Sequence, residues 1–241
     1  PGPQWEFAST SADIAIYGGE AGGGKSWALV FEGLRHKDNP RAGGVIFRRT
    51  NPELTGPESL WSIAQDLYRP FGARMTENPL RARFPSGAEI QFLHMQHESD
   101  AYDHQGKGYA YLGFDELTHF TEMQFWYTYS RSRSTSGIDP YVRATCNPDP
   151  DSFVRKLINW WIGQDGIPIP ERSGVLRWFI RVGDELVWAD TPGELASQCI
   201  SGQRPRSLTF IHARLEDNPA LTSKDPNYAS VLAALPEIER Q

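Results

Sequence analysis

The amino-acid sequence predicts an α/β fold with a central, mostly parallel β-sheet flanked by helices. Short apolar runs alternate with helix-like stretches along the first half of the chain, a pattern typical of a doubly wound sheet. The chain has 241 residues, of which 39% are hydrophobic and 12% aromatic, enough for one large buried core. This composition excludes a disordered chain and a disulfide-stapled miniprotein.

The charge and cysteine content restrict the class of protein further. A formal net charge of −6 argues against the basic surface of sequence-reading DNA-binding modules, so any nucleic-acid contact is expected to be local. No apolar run approaches about 18 residues and residues 1–10 carry no signal-peptide pattern, so we expect a soluble, intracellular protein without a membrane span. Cys146 and Cys199 fit a reducing compartment and form no zinc motif.

Strand-like and helix-like segments alternate through residues 1–165. Short apolar runs that end at Gly, Asn or Pro predict strands, and amphipathic stretches with capping signals predict helices. The runs on either side of Pro85-Ser86-Gly87 predict a hairpin. Strands are predicted at residues 13–17, 44–48, 81–84, 89–93, 109–114 and 141–145, and helices at residues 25–35, 58–68 and 122–131.

The composition of the sequence changes after residue 165, where a stretch rich in Pro and Gly precedes further strand-like runs. Two of these runs flank Gly183-Asp184 and predict a β-hairpin. We therefore expect a core at residues 1–165 and a C-terminal part of the same domain, with hairpin and linker, at residues 166–241. The predicted elements of the second part are a hairpin at residues 175–181 and 185–188, a strand at 207–214 and a closing helix at 227–235.

The phosphate-binding pattern G-x-x-x-x-G-K-[ST] occurs in full between the first predicted strand and the first predicted helix. The pattern works in this position because glycine N–H groups and a helix N-terminus then converge on phosphate oxygens. We expect Lys25 to reach the β- and γ-phosphates of a nucleotide and Ser26 to bind Mg²⁺. The candidate nucleotide-binding residues of this loop are Gly19, Glu20, Ala21, Gly22, Gly23, Gly24, Lys25 and Ser26.

An acidic pair supplies what hydrolysis of a bound nucleotide needs, a metal-binding carboxylate and a group that orients water. Asp115 and Glu116 directly follow the predicted strand at residues 109–114. We expect Asp115 to hold Mg²⁺ and Glu116 to polarise the attacking water. Such a pair favours the ASCE, RecA-like P-loop ATPases, in which an added strand separates the P-loop strand from the acidic strand; residues 45–47 fit that strand. Signatures for guanine are absent, which favours ATP.

With these motifs the chain resembles the N-terminal ATPase domain of the large terminase subunit of tailed bacteriophages, the motor that packages double-stranded DNA into procapsids. The resemblance extends over nearly the whole chain. It implies a P-loop ATPase that uses ATP and Mg²⁺ to translocate DNA. The segments that carry the resemblance are residues 18–26, 47–54, 105–107, 113–120, 143–148 and 217–219.

Two pairs of residues receive roles from this resemblance. Thr145 and Asn147 occupy the segment that in the family senses the γ-phosphate and couples hydrolysis to movement. Gln4 and Trp5 lie upstream of the phosphate loop, where the family uses an amide and an aromatic ring to bind adenine. The structural alternatives are an ordinary Asn-Pro turn at residues 147–148 and a disordered terminus with a tryptophan packed on the core.

The chain departs from the family inside the phosphate loop. Many terminases place an arginine there, whereas residues 20–21 are Glu-Ala in this chain. The positive charge that stabilises the transition state must then come from another arginine, in the same chain or in a neighbouring subunit. For each candidate the alternative is an ordinary surface or structural arginine. The candidates are Arg48 and Arg49 after the second strand and Arg131 and Arg133 after the third helix, with Arg48 and Arg131 as the proposed catalytic pair.

A local excess of positive charge marks residues 35–83, with nine Lys or Arg against five Asp or Glu. Phosphate contacts that do not read bases suit a motor that moves along any sequence. We therefore expect non-specific binding of double-stranded DNA, and the alternative is a solvated surface. His94 and His97 lack a third ligand and predict no metal site.

The resemblance also implies partners and a location. It implies portal protein, the small terminase subunit and further copies of this chain in a ring, in the host cytoplasm. The family carries a C-terminal nuclease domain that should begin where this chain ends, so we expect no DNA cleavage. Two alternatives stay open: another translocase or helicase-type ATPase, and an ATP-dependent assembly module that does not hydrolyse ATP.

Overall fold

The structure is a computed structural model and describes residues 2–200, 202–218 and 223 of the chain. The predicted helix at residues 227–235, the end of the predicted linker and Pro219 lie outside the described residues. Within the described residues, ten strands form one sheet. In chain order the strands are β1 (Ile14–Gly19), β2 (Gly43–Arg48), β3 (Arg74–Glu77), β4 (Leu80–Arg83), β5 (Glu89–His94), β6 (Tyr111–Phe114), β7 (Tyr141–Cys146), β8 (Arg177–Val182), β9 (Glu185–Ala189) and β10 (Arg206–Ala213).

Two of the longer helices start at capping side chains. The Ser59 hydroxyl accepts the N–H of Ser62 at 3.4 Å, and Thr121 and Gln124 exchange two hydrogen bonds in a capping box. No helix in the described ranges has the length and apolar character needed to cross a membrane. The helices are α1 (Pro3–Ser9), α2 (Lys25–Glu32), α3 (Asn51–Thr55), α4 (Leu60–Tyr68), α5 (Glu122–Tyr129), α6 (Phe153–Ile158) and α7 (Pro192–Leu195).

The strand order across the sheet is β3-β4-β5-β2-β6-β7-β1-β10-β8-β9. The six central strands in this order, β5, β2, β6, β7, β1 and β10, run parallel to one another. The β3-β4 and β8-β9 hairpins add antiparallel strands at the two edges of the sheet. The predicted α/β class with a mostly parallel sheet and a C-terminal hairpin is confirmed. The carboxyl ends of the parallel strands share one edge of the sheet, the edge at which such sheets bind ligands.

The strand between the P-loop strand and the acidic strand is β7. It pairs with β1 on one side and with β6 on the other, whereas β2 pairs with the far side of β6. The assignment of residues 45–47 to this place is therefore wrong. Buried parallel strands all appear as continuous apolar runs, so their pattern does not reveal their order.

Most predicted elements are present with shifted ends. The helix predicted at residues 25–35 ends at Glu32, and the helix predicted at 58–68 begins at Leu60. Both predicted hairpins form. The sequence does not predict α1, α3, α6, α7 or β3, because elements of four to seven residues are too short to show a clear hydrophobic period.

Two hydrophobic cores cover the opposite faces of the sheet. Alternate residues of a strand point to opposite sides, so Ala15 and Tyr17 of β1 join the core under α1, α2 and α4, while Ile14 and Ile16 join the core under α5 and α6. β10 contributes to both cores in the same way. The described part of residues 166–241 thus extends the sheet of residues 1–165.

Asp13 fastens the start of β1 to the start of β10. Its carboxylate accepts hydrogen bonds from the N–H and hydroxyl groups of Ser207, each at 2.9 Å, and pairs with Arg204 and Arg206 at 2.9 Å. Burial raises the pKa of this carboxyl group, but the bonds from Ser207 and Arg206 outweigh burial and leave the pKa below its ordinary value. The ionised form therefore stabilises the pairing of the two strands.

Asp13→Asn is expected to lower the free energy of unfolding by about 1–3 kcal/mol at pH 7, because one of the two acceptor oxygens becomes an NH₂ donor and the arginines lose the negative charge. A depressed folded-state pKa stabilises the fold above the unfolded pKa of about 3.9, and this stabilisation is lost as the pH falls through the folded-state value. Urea unfolding should show the gap between the two proteins narrowing from about pH 5 to about pH 2. Asp38→Asn, at an exposed carboxylate paired with its neighbour Lys37, is the control, and an equal loss in both variants contradicts the role of Asp13.

Candidate active site

The phosphate loop joins the end of β1 to the start of α2 at the carboxyl edge of the parallel strands. Gly19, Gly22 and Gly24 have φ angles of 139°, 80° and 73°, which residues with side chains rarely adopt. A Cβ atom on Gly19 would lie 2.3 Å from the carbonyl oxygen of Ala213. The strand-loop-helix arrangement that the motif requires is therefore present, and these glycines permit it.

Lys25 begins α2 and is only 7% exposed. Its ammonium group donates hydrogen bonds to the carbonyl oxygens of Gly19 at 2.9 Å and Glu20 at 2.7 Å. Burial lowers the pKa of Lys25, and nearby carboxylates, Glu116 foremost, oppose that shift. The side chain thus lies across its own loop, within electrostatic reach of the acidic pair.

Asp115, directly after β6, is the buried carboxylate on which the site converges. The Ser26 hydroxyl donates to its two oxygens at 3.1 and 3.3 Å, and the Thr145 hydroxyl donates to Oδ1 at 2.6 Å. Nη1 of Arg48 forms an ion pair with Oδ2. These partners come from α2, β7 and β2, so the strand order decides which side chains meet.

Glu116 is held at the end of β7 by two hydrogen bonds. Its N–H donates to the Thr145 hydroxyl oxygen at 3.0 Å, and its Oε2 accepts the N–H of Asn147 at 3.1 Å. Its φ of 54° and ψ of 64° lie in the left-handed region, which is uncommon for a residue with a side chain. The neighbouring strand keeps Glu116 in this conformation, and the Thr145 hydroxyl contacts both acidic residues.

Asn147 presents a buried acceptor next to Glu116. Its side-chain oxygen Oδ1 has no hydrogen-bond partner among the described residues. Buried polar atoms are nearly always paired in folded proteins. An unpaired acceptor beside Glu116 is what a residue that binds a polar ligand would present, which agrees with a role of Asn147 in the site.

The oxygen atoms around Asp115 fit a magnesium ion. Mg²⁺ prefers hard oxygen ligands and takes few of them from protein, and the Ser26 hydroxyl and the Asp115 carboxylate lie in contact. The contact with the Arg48 guanidinium shows that a cationic group can lie against this carboxylate. In the described part of the chain, at this site or away from it, no three His, Cys, Asp or Glu side chains converge as metal ligands.

The pair predicted to bind adenine lies on α1, beside the phosphate loop. The side-chain amide of Gln4 donates to the carbonyl oxygen of Gly23 at 3.1 Å, so Gln4 contacts the loop itself. Trp5 is 62% exposed. The structure brings Gln4 to the site and leaves the indole of Trp5 on the surface of α1.

Arg131 lies at the opposite end of β6 from Asp115. Its carbonyl oxygen accepts the N–H of Tyr109, just before β6, at 3.1 Å, and its guanidinium carbon lies 4.9 Å from the centre of the Tyr127 ring. From Tyr109 to Asp115 the extended chain spans roughly 20 Å. Arg131 therefore does not reach the phosphate loop of its own chain.

Arg49 and Arg133 make local contacts. Arg49 donates to the side-chain oxygen of Gln124 at 3.1 Å, and Arg133 donates to the carbonyl oxygen of Gly106 at 3.0 Å. Each guanidinium group thus holds a neighbouring segment of the chain by a hydrogen bond, at Gln124 or at Gly106. Of the four arginine candidates, Arg48 alone contacts the acidic pair.

The segment after β10 contacts the phosphate loop, and the sequence did not predict these contacts. The N–H of Glu20 donates to the carbonyl oxygen of Ala213 at 3.0 Å, and the N–H of Leu215 donates to the Glu20 carboxylate at 2.8 Å. The side chain of Asn218 donates to the carbonyl oxygen of Gly22 at 2.7 Å. The only sequence signal for these contacts is the family-like segment to which Asn218 belongs.

Two titratable side chains that the sequence did not single out lie against the loop. A Cβ atom on Gly18 would meet Cys146 Sγ at 2.6 Å, and one on Gly19 would meet the His212 ring at 2.7 Å. Burial raises the pKa of the Cys146 thiol to about 12. Burial, and after it the charge of Arg214, lowers the pKa of His212, so both groups are neutral packing partners near pH 7.

A phosphate loop after β1, an acidic pair after β6 and the inserted β7 together define the fold of an ASCE-class P-loop NTPase. A family model described as terminase large subunit, T4likevirus-type, N-terminal, matches residues 16–241. The chain belongs to this terminase family, which confirms the resemblance inferred from its motifs.

Solved structures share the fold at low sequence identity. The large terminase of a thermophilic bacteriophage matches with a TM-score of 0.62 and 14% identity over 100% of this chain and 52% of that chain. Its complex with ADP matches with a TM-score of 0.61 and 14% identity over 98% and 51%. The large terminase ATPase domain of a Thermus phage matches with a TM-score of 0.59 and 13% identity over 98% and 88%.

This chain spans about half the length of the first of these structures. At such identities the likeness establishes the fold. A comparison with curated protein sequences finds no match.

Proposed function

We propose that this chain is the ATPase motor domain of a phage terminase large subunit and powers the packaging of double-stranded DNA into procapsids. The observation that carries the proposal is the junction at Asp115, where Ser26 and Thr145 donate to one carboxylate. A phosphate loop alone is sufficient to bind a nucleotide, whereas hydrolysis also requires acidic residues beside the loop. Membership of the terminase family supports the packaging role.

The proposed reaction is in-line attack of water on the γ-phosphate of ATP. Loop N–H groups and the N-terminus of α2 bind the phosphates, and Lys25 exchanges its carbonyl acceptors for phosphate oxygens, which bind an ammonium group more strongly. Because Oε2 of Glu116 accepts the Asn147 N–H, its other oxygen remains to orient the water. Asn147 then links the state of the phosphate to β7.

Charge compensation comes from three sources in this proposal. Ser26 and Asp115 would hold a Mg²⁺ ion that binds with ATP, and this ion would supply positive charge to the phosphate oxygens. Lys25 is the second source. Arg48, which contacts the same carboxylate, is the third, and we propose it as the arginine that acts within the chain.

The working assembly is proposed to be a homo-oligomeric ring that engages portal protein and the small terminase subunit in the host cytoplasm. Arg131, which does not reach the phosphate loop of its own chain, is proposed to act on the site of a neighbouring subunit. DNA cleavage is proposed to belong to another part of the large subunit, because the matched family is its N-terminal part and this chain spans about half of a solved large terminase.

Glu116→Gln is expected to slow ATP hydrolysis by about 10²–10⁴-fold, because the amide no longer accepts a proton from the attacking water. ATP affinity, measured by calorimetry, should stay nearly unchanged. Glu98→Gln, at an exposed glutamate away from the loop, is the control and should keep full turnover. Equal turnover in the Glu116 variant and wild type contradicts the assignment, and binding without hydrolysis in wild type favours an assembly module.

Only some of the basic residues proposed to bind DNA are free to contact phosphates. Of the nine basic residues in residues 35–83, five are engaged by carboxylate, carbonyl or amide oxygens of the chain itself. Four arginines remain exposed and have no ion pair within the described residues. The engaged residues are Arg35, Lys37, Arg48, Arg49 and Arg81, and the exposed arginines are Arg41, Arg69, Arg74 and Arg83.

Arg74 and Arg83 face each other across the β3-β4 hairpin at one edge of the sheet. Like charges directly opposite in antiparallel strands repel each other and destabilise the pairing. An anionic partner removes this repulsion. We propose that phosphates of double-stranded DNA bind at this pair, without reading bases.

Arg83→Gln should reduce the slope of log affinity against log salt concentration by about 1, and Arg74→Gln with Arg83→Gln by about 2, because each lost phosphate contact releases one counterion fewer. Fluorescence anisotropy with two unrelated duplexes measures the slope and the lack of sequence preference. Lys156→Gln, an exposed residue of α6, should leave the slope unchanged. A wild-type slope in the double variant places the DNA elsewhere.

A further inference from the structure

The carbonyl oxygens of the phosphate loop are held from outside by side chains. A loop that turns its N–H groups toward phosphate turns its carbonyl groups the other way, and these need donors of their own. Asn218 Nδ2 donates to Gly22 O at 2.7 Å and Gln4 Nε2 donates to Gly23 O at 3.1 Å. The Tyr17 hydroxyl also donates to Gly23 O, at 3.1 Å.

The two amide groups meet over Gly24. A Cβ atom there would lie 2.5 Å from Gln4 Nε2 and 3.5 Å from Asn218 Nδ2. One amide comes from α1 and the other from the segment after β10, so they approach the loop from opposite ends of the described chain. We call Gln4 and Asn218 the amide clasp.

The segment that carries Asn218 is itself well anchored. The N–H of Arg214 donates to the Asp217 carboxylate at 3.0 Å, and the N–H of Asn218 donates to the carbonyl oxygen of Leu215 at 3.0 Å. The bond from Leu215 to the Glu20 carboxylate, at 2.8 Å, ties this turn to the loop. The amide of Asn218 therefore acts from a fixed position.

Lys25 explains why the loop needs a second support. Its ammonium group occupies the carbonyl oxygens of Gly19 and Glu20, and these contacts are given up when the lysine turns to a phosphate. The amide clasp contacts Gly22 and Gly23, which the lysine does not touch. It can therefore keep the loop in its phosphate-binding shape before and after the lysine moves, which lowers the cost of binding.

We propose that Asn218 is a positioning residue for phosphate binding. Its amide fixes the outward carbonyl of Gly22 and thereby keeps the loop N–H groups aimed at the phosphates of the nucleotide. The inference rests on the proposed function, since it requires that the loop binds a nucleotide. It adds a residue that acts through the loop backbone, on a segment that carried no assigned role.

Calorimetric titration of the full chain with ADP and Mg²⁺ tests this role. Asn218→Ala is expected to raise the Kd for ADP about three- to tenfold, the effect of losing one hydrogen bond that orders the loop. Asn218→Asp keeps the size and shape of the side chain but presents an oxygen to the Gly22 carbonyl. It should raise the Kd at least as much, with little change in the melting temperature.

Asn39→Ala is the matched control, because Asn39 Nδ2 donates to the carbonyl oxygen of Ser136 at 3.0 Å, a bond of the same kind away from the loop. It should leave the Kd for ADP at the wild-type value. A wild-type Kd in both Asn218 variants overturns the positioning role and leaves the proposed function intact. Failure of the wild-type chain to bind ADP overturns the proposed function and this inference together.

Discussion

The buried carboxylate of Asp115 is the constraint on which the arrangement of the site depends. A carboxylate that is 2% exposed is tolerated only when it is paired and hydrogen-bonded. Its partners are the Ser26 hydroxyl, the Thr145 hydroxyl and the Arg48 guanidinium, each from a different element. The fold therefore satisfies this charge only by assembling the phosphate-loop helix, β2 and β7 around the end of β6.

The position of β1 in the middle of the sheet extends this arrangement to the phosphate loop. β7 lies on one side of β1 and β10 on the other, so the segments that follow these two strands flank the loop. Thr145 and Asn147 contact the acidic pair from one side, and Asn218 contacts the loop carbonyl from the other. The segments that follow both neighbouring strands therefore contact either the loop or the acidic pair beside it.

Local sequence was sufficient for features with a strong local signal. The phosphate loop, the acidic pair and the hairpins follow from glycine placement and apolar runs. Strand order was not predictable, because buried strands look alike, and the added strand proved to be β7 and not β2. The contact between Asn218 and Gly22 joins residues 196 positions apart, a distance over which no local pattern carries information.

The sequence was equally unable to distinguish among the candidate arginines. Arg48 and Arg131 each lie at the end of a predicted element and carry the same charge, so the sequence offers no reason to prefer one. The structure places Arg48 on Asp115 and Arg131 at the other end of β6, beside Tyr109. Only the three-dimensional order of the strands separates the arginine that contacts the acidic pair from the one that lies far from it.

The most direct test of the account is the ATP turnover of Thr145→Val, measured beside its ADP affinity. The valine keeps the volume of the side chain but removes the hydroxyl that donates to Asp115 and accepts from Glu116. The account predicts turnover lower by about 10²-fold, the effect of a small misplacement of catalytic groups, with ADP affinity retained and activity kept in Thr145→Ser. Wild-type turnover in Thr145→Val contradicts the claim that this hydroxyl holds the two acids in place.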